Sequence, residues 1–200
     1  MMKSPYAKKN KSEWKKITKQ LVDAHPLKNC LVEVVLAAWA SIFKSKLGPY
    51  RIGKDIFPQP QIMGFFLHDL IPLYLQKQNK DYRLGNARNE KDVVCISDDS
   101  LSLEIKTSSN SNKVFGNRSF AKSQKKTSKR KKNKDGFYLT INFEKFNLSC
   151  EELPKINIIR FGYLELSDWK AQTAESGQQS RLSPDVYENK FVVLYDKNQE

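Results

Sequence analysis

The sequence predicts an α/β protein built as one domain, and three observations carry that reading. Apolar residues recur at helical spacing through the first 76 residues; from Lys91 onward the period falls to two; and 200 residues at 39% hydrophobic content supply one packed core. Trp14, Ile17, Leu21 and Val22 mark a short amphipathic helix within the lysine-rich residues 1–27, which Pro26 ends. Between Lys28 and Lys46, Leu31, Val34, Val35, Ala38, Ile42 and Phe43 recur at three and four, predicting a core helix stopped by Gly48-Pro49. Residues 50–60 are broken by Gly53, Pro58 and Pro60 and predict a loop. Gln61 to Gln76 is apolar with helical period, and Pro72 is expected to kink or end that helix.

Residues 77–90 form a polar stretch. Lys91 to Ile96 is then a short β-rich run, Ser97 to Ser100 has turn chemistry, and Leu101 to Thr107 alternates strictly, which together predict a hairpin. Residues 109–136 are polar and basic, a long loop of the kind that is functional or a linker. Strands are expected at 136–143, 156–166 and 191–195, a helix near Asp168, and a loop over 177–184. No interior boundary divides residues 1–200.

The formal net charge of +13 points to a polyanionic partner. Residues 1–20 hold seven lysines and one glutamate, and residues 122–134 hold eight basic side chains and no acid, so the charge sits in two appendages around a near-neutral body. Cys30, Cys95 and Cys150 are too few and too scattered for a disulfide framework or a zinc knuckle and suit a reducing cytoplasm. The longest apolar run, Leu31 to Phe43, is too short to span a bilayer, which takes about 20 residues. A soluble cytoplasmic protein with no membrane partner is expected. His25 and His68 are the two histidines, which supplies hydrolytic triads and zinc sites poorly; His68 is expected to be a satisfied histidine of the core or its rim.

In the alternating segment, Leu101, Leu103 and Ile105 share one face, and Ser102, Glu104 and Lys106 the other. An antiparallel neighbour would bring Asp92 beside Glu104. Two carboxylates that hold a hard divalent cation, with a lysine to orient or deprotonate water, suit phosphodiester hydrolysis. Acid-x-Lys also occurs at Glu13/Lys15, Asp168/Lys170 and Glu188/Lys190, but only Glu104/Lys106 lies in a period-2 segment. The competing reading is a cross-strand ion pair on a solvated face, worth about 0.2–1 kcal/mol. Glu33 interrupts the most apolar helix and is either a helix-boundary or surface-rim residue or a candidate extra ligand to metal or water, the latter favoured on the argument that a buried carboxylate needs a partner. The basic run, with Lys122, Lys125 and Lys126, suits phosphate contacts. Asn117 and Arg118, Gln59 and Gln61, and Gln178, Gln179 and Arg181 are the side chains able to read base edges. Met63 and Phe57 are considered as wedges between bases, a role less common than core packing.

Asp92…Glu104-Ile-Lys106 resembles the active-site motif of the PD-(D/E)xK nuclease superfamily, with Lys91 where the motif has its proline. GKDIFPQPQIMGFFLHDLIP (53–72), EKDVV (90–94), SLEIKTSS with FGNRSFA (102–121), GFYLTINFEKF (136–146) and IRFGYLELSDWKAQTAESGQQSRLSP (159–184) resemble the ScaI-type type II restriction endonucleases. That resemblance implies a mixed central β-sheet flanked by helices and a homodimer on a short palindromic duplex. It also implies Mg²⁺-dependent cutting of both strands to 5′-phosphates with blunt ends, and a cognate DNA methyltransferase in the same system. Asp92 and Glu104 would bind Mg²⁺ and Lys106 would position the nucleophilic water. A repair or junction nuclease of the same superfamily and a noncatalytic basic nucleic-acid-binding protein are the alternatives.

Overall fold

A computed structural model describes residues 4–117, 134–149, 152–171 and 179–199. Helix α1 (Lys11–Ala24) opens with a capping box in which the Glu13 carboxylate accepts the Asn10 backbone N–H at 3.0 Å. Helix α2 (Leu31–Lys44) buries Leu31, Val34, Val35, Ala38, Trp39 and Ile42, the face its spacing predicts. Two-residue strands β1 (Lys46–Leu47) and β2 (Tyr50–Arg51) form a hairpin around Gly48-Pro49, of which only β2 falls within the expected loop 50–60.

Helix α3 (Pro60–Gln78) starts with proline, whose missing N–H costs nothing in a first turn, and continues through Pro72. A proline inside a helix costs about 3 kcal/mol. Ile71 and Leu75 on either side of it are fully buried, and burial of two such side chains at about 1.5–3 kcal/mol each offsets that cost.

The remaining elements are β3 (Tyr82–Leu84), β4 (Val93–Cys95), a 3₁₀ turn (Asp99–Leu101), β5 (Leu103–Ser108), β6 (Phe115–Asn117), β7 (Gly136–Phe143) and β8 (Ile156–Leu164). A second 3₁₀ turn (Leu166–Asp168), β9 (Lys170–Ala171), β10 (Gln179–Arg181), α4 (Pro184–Asn189) and β11 (Phe191–Asp196) follow. Six strands form the central sheet in the order β11-β8-β7-β5-β4-β3. The β5–β7 pair is parallel and the other neighbours are antiparallel, so the sheet is mixed, with helices packed against it, as expected of a restriction-endonuclease-like fold. A small sheet, β6-β10-β9, stands apart from it.

Period two sorts the side chains of β5 and β7. Leu103, Ile105, Phe137, Leu139, Ile141 and Phe143 join one core with α1, α2 and α3. Tyr138 faces the other way and packs with Val114, Leu164, Trp169, Leu182, Val186 and Phe191. Met63 belongs to the first core, 2% exposed, so it cannot wedge between bases, and Phe57 meets Phe146 edge-on at 5.5 Å.

Four local expectations are corrected. The polar stretch 77–90 contains strand β3, whose Tyr82 is buried against the core. Asp168 ends a 3₁₀ turn and is followed by a strand; its side chain is drawn back to the Glu165 N–H at 2.7 Å. Segments 109–136 and 177–184 contribute β6 and β10, which pair with one another across 62 or more residues of chain. Leu101 lies in the turn before β5 instead of in the strand.

Candidate active site

Strands β4 and β5 pair antiparallel with Val93 opposite Leu103, so the next register position sets Asp92 opposite Glu104 on the face away from the first core. Asp92 Oδ2 accepts the Ile105 N–H at 2.7 Å, which ties that carboxylate to the backbone beside Glu104. Lys106 Nζ donates to Glu104 Oε1 at 2.8 Å and to the Ile105 carbonyl at 3.1 Å. Glu104 and Lys106 side chains are 7% and 13% exposed, far from the solvated sheet face that an ordinary surface ion pair requires. Glu104 also lies beside Tyr138, its register partner on β7. Burial first, then the Glu104 charge, pushes the Tyr138 phenol well above its ordinary range.

The segment before Asp92 is braced. Glu90 accepts from both terminal nitrogens of Arg83, at 2.6 and 3.0 Å, and from the Asn86 and Ala87 N–H groups. The Arg83 guanidinium, followed by those two backbone donors, draws the Glu90 carboxyl down to about 2. Lys91, in the place of the superfamily's proline, is buried and donates to the Asp135 carbonyl at 2.9 Å. Gly136 admits that side chain: its φ is +138°, and a Cβ there would stand 1.8 Å from Lys91 Nζ. Lys91 therefore links the approach to Asp92 with the start of β7, a role its sequence position does not signal.

Helix α3 forms the neighbouring wall. A Cβ at Gly64 would lie 2.6 Å from Thr107 Oγ1, so glycine lets the helix approach the end of β5. One turn later His68 Nδ1 stands 3.6 Å from Asp92 Oδ2. The sequence places His68 in the core or at its rim without naming this neighbour; an apolar helix carries no signal for it. His68 is common to two depressions. A cleft of about 680 Å³ runs past Pro60, Gln61, Gly64 and Phe65 on α3, Thr107 to Asn110 after β5, Phe115 and Gly116 on β6, Phe143, Lys145 and Gln179. A smaller one of about 290 Å³ holds Asp92, Asp69 and Arg88. The loop after β5 is fixed because Asn142 Nδ2 donates to the Asn110 and Lys113 carbonyls while Arg160 donates to Asn142 Oδ1.

Among the candidate base-reading side chains, exposed Gln61 and Gln179 line the large cleft from opposite walls. Asn117 is the cross-strand partner of Gln179, Gln59 precedes the first turn of α3, and exposed Arg181 ends β10. Arg118, Lys122, Lys125, Lys126 and Gln178 lie outside the described residues. Glu33 is corrected: it is exposed in the first turn of α2, so the argument from a buried carboxylate does not apply. Its charge is felt at Cys30, whose thiol is raised mainly by burial.

No group of three or more His, Cys, Asp or Glu among the described residues could enclose a metal ion. Asp92 and Glu104 with the Ile105 carbonyl supply hard oxygen donors. Such a set fits Mg²⁺, which is commonly held by one or two carboxylates and completes its shell with water and substrate phosphate.

The chain is 42% identical over 198 residues to the type II restriction enzyme ScaI of Streptomyces caespitosus, an alignment covering 98% of this chain and 86% of that enzyme. The family model described as ScaI restriction endonuclease matches residues 4–195, a span that holds the β4–β5 carboxylates and both walls of the cleft, and the chain belongs to that family.

Proposed function

We propose that this protein is a type II restriction endonuclease that hydrolyses both strands of a short palindromic DNA site at Asp92, Glu104 and Lys106. The observation that carries the reading is the meeting of those three residues on one face of β4–β5, beside His68, which lines a large cleft, in a chain of the ScaI family. Asp92 and Glu104 would hold Mg²⁺, which when bound neutralises charge that builds on the phosphoryl oxygens. Lys106 Nζ, fixed by Glu104 and the Ile105 carbonyl, orients a water for in-line attack on phosphorus. The P–O3′ bond then breaks and the phosphate stays on the 5′ end. His68, beside Asp92, limits the positions that carboxylate can take.

Double-strand cutting of a palindrome calls for two such sites, hence a homodimer, and the family resemblance supports blunt ends. Gln59, Gln61, Asn117, Arg118, Gln178, Gln179 and Arg181 are assigned to base edges and Lys122, Lys125 and Lys126 to phosphates. A DNA methyltransferase protecting the same site is the expected companion. No described helix is long and apolar enough to cross a membrane. Incubation of purified protein with plasmid DNA and Mg²⁺ tests the proposal: discrete fragments with 5′-phosphates support it. Smeared or structure-dependent products favour a repair nuclease, and binding without cleavage removes the enzyme reading.

A further inference from the structure

The hairpin β1–β2 has no part in the site described above, yet it is built to project. Leu47 pairs with Tyr50 and Lys46 with Arg51, leaving Gly48-Pro49 as the two-residue turn, with Gly48 at φ +61° as such a turn requires. Every residue from Lys44 to Arg51 is exposed, and Leu47 and Tyr50 are 64% and 58% exposed. The base is rigid. Ile52 is buried, the Gly53 N–H donates to the Ile56 carbonyl at 2.8 Å, and Asp55 accepts the Arg51 N–H at 2.8 Å. Lys46 and Arg51 form the cross-strand pair next to Leu47 and Tyr50, on the other face of the hairpin, Lys44 and Lys54 flank it in sequence, and none of the four forms an ion pair among the described residues.

The hairpin also has a defined place beside the cleft. Phe43, at the end of α2, meets Phe146 at 6.1 Å, and Phe146 meets Phe57 at 5.5 Å. Phe146 directly follows Lys145, and Phe57 shortly precedes Pro60; both Lys145 and Pro60 line the cleft. Phe43 thus links the end of the helix that leads into the hairpin to the segments that border Lys145 and Pro60 at the cleft.

We propose that the Lys46–Arg51 hairpin is a second duplex-DNA contact, outside the recognition site, in which Leu47 and Tyr50 press on a groove and Lys44, Lys46, Arg51 and Lys54 grip flanking phosphates. Basic residues around exposed apolar ones match a charged backbone bordering apolar sugar edges, a pairing used by groove-binding wedges. The inference rests on the reading of this protein as a DNA-cutting enzyme, and extends it from the cut site to the flanks.

The test compares the wild type with Lys46→Ala/Arg51→Ala and Leu47→Ser/Tyr50→Ser on a 30-bp duplex in EDTA, across a salt series, with sedimentation of each protein alone. The charge variant should flatten the slope of log affinity against log salt by about 1.8, at about 0.9 for each phosphate no longer neutralised. The apolar variant should bind several-fold more weakly with the slope unchanged. Wild-type affinity and slope in both variants overturn the proposal. So does the failure of either variant to form a dimer that the wild type forms, which would assign the hairpin to a second copy of the chain. A wild type that cuts plasmid while its hairpin variants bind normally defeats this inference alone; one that binds through the hairpin but never cuts defeats the enzyme reading alone.

Discussion

Lys106 and Lys190 are both paired with carboxylates, one partly open to solvent and the other sealed inside the protein. Lys190 Nζ reaches Glu165 Oε2 at 2.7 Å and Asp168 Oδ1 and Oδ2 at 2.8 and 2.9 Å, and lies 4.2 and 4.5 Å from the centres of the Tyr6 and Trp14 rings. Its side chain is 1% exposed against 13% for Lys106. Burial keeps Asp168 above the ordinary carboxylate range even though Lys190 draws it down. An ammonium bonded by carboxylates and capped by two rings has no room for substrate. The Glu104–Lys106 pair on β5 is less enclosed, and Asp92 beside it lines a depression of about 290 Å³. Enclosure, more than composition, separates the Lys190 cluster from the Glu104–Lys106 pair.

The largest effects should divide along that line. Glu104→Gln and Lys106→Ala should each slow plasmid cleavage at least about a thousandfold, the scale of losing a positioned proton-transfer or metal-binding group, while gel-shift affinity for DNA persists. Either variant cutting at the wild-type rate would remove its residue from the site. Lys190→Met should do the reverse and destabilise the fold by about 3–5 kcal/mol, the cost of stranding buried carboxylates, read as a lower urea midpoint. A midpoint unchanged in Lys190→Met would mean the enclosed cluster contributes nothing and would erase the distinction.

What is legible in the sequence follows from the range of the interactions. Strand β7 occupies the expected 136–143 and β8 begins at the expected residue because long apolar runs with β-branched and aromatic residues report their own burial. Asp92, Glu104 and Lys106 are legible because a turn of local sequence joins their strands. Strands β6 and β10, three residues each, are not: Phe115-Gly-Asn117 and Gln179-Ser-Arg181 become strands by pairing with each other and, for β10, also with β9. Glu188-Asn-Lys190 matches the acid-x-Lys pattern as well as Glu104-Ile-Lys106 does, yet Lys190 bonds residues 22 and 25 positions earlier, and no spacing rule shows that. The steric fit of Lys91 against Gly136 is likewise a property of the folded backbone.

A third enclosed polar group differs from both lysines because it is buried without charge. His25 is 3% exposed, stands 4.4 and 4.9 Å from the Phe137 and Phe161 ring centres, accepts the Leu27 N–H at Nδ1 and meets the Leu101 carbonyl through Nε2. Burial draws its pKa down to about 4, against the weaker upward pull of that carbonyl. The folded value lies below the unfolded one of about 6.5, so the fold favours neutral imidazole. This contribution is complete above pH 6.5 and is lost as pH falls toward 4, on the order of 3 kcal/mol in all. Urea midpoints at pH 7 and pH 4.5 measure it. His25→Gln should flatten the dependence across that window, and an equal slope in wild type and variant would assign it to other groups.

The smallest effect is expected at the carboxylate that lacks enclosure altogether. Valines flank Glu33 in the sequence, but on α2 the helical period turns Val34 and Val35 into the core and leaves Glu33 exposed. Glu33→Gln should change the unfolding free energy by no more than about 0.5 kcal/mol, the ordinary range for a surface position, and should leave the plasmid cleavage rate at the wild-type value. It does remove one negative charge from the first turn of a helix, where a carboxylate stabilises the macrodipole by about 0.3–1 kcal/mol at low salt. Any loss of stability should therefore shrink as salt rises. A cleavage defect that persists at all salt concentrations would restore Glu33 to the reaction and show that a carboxylate can serve the site from outside its enclosure.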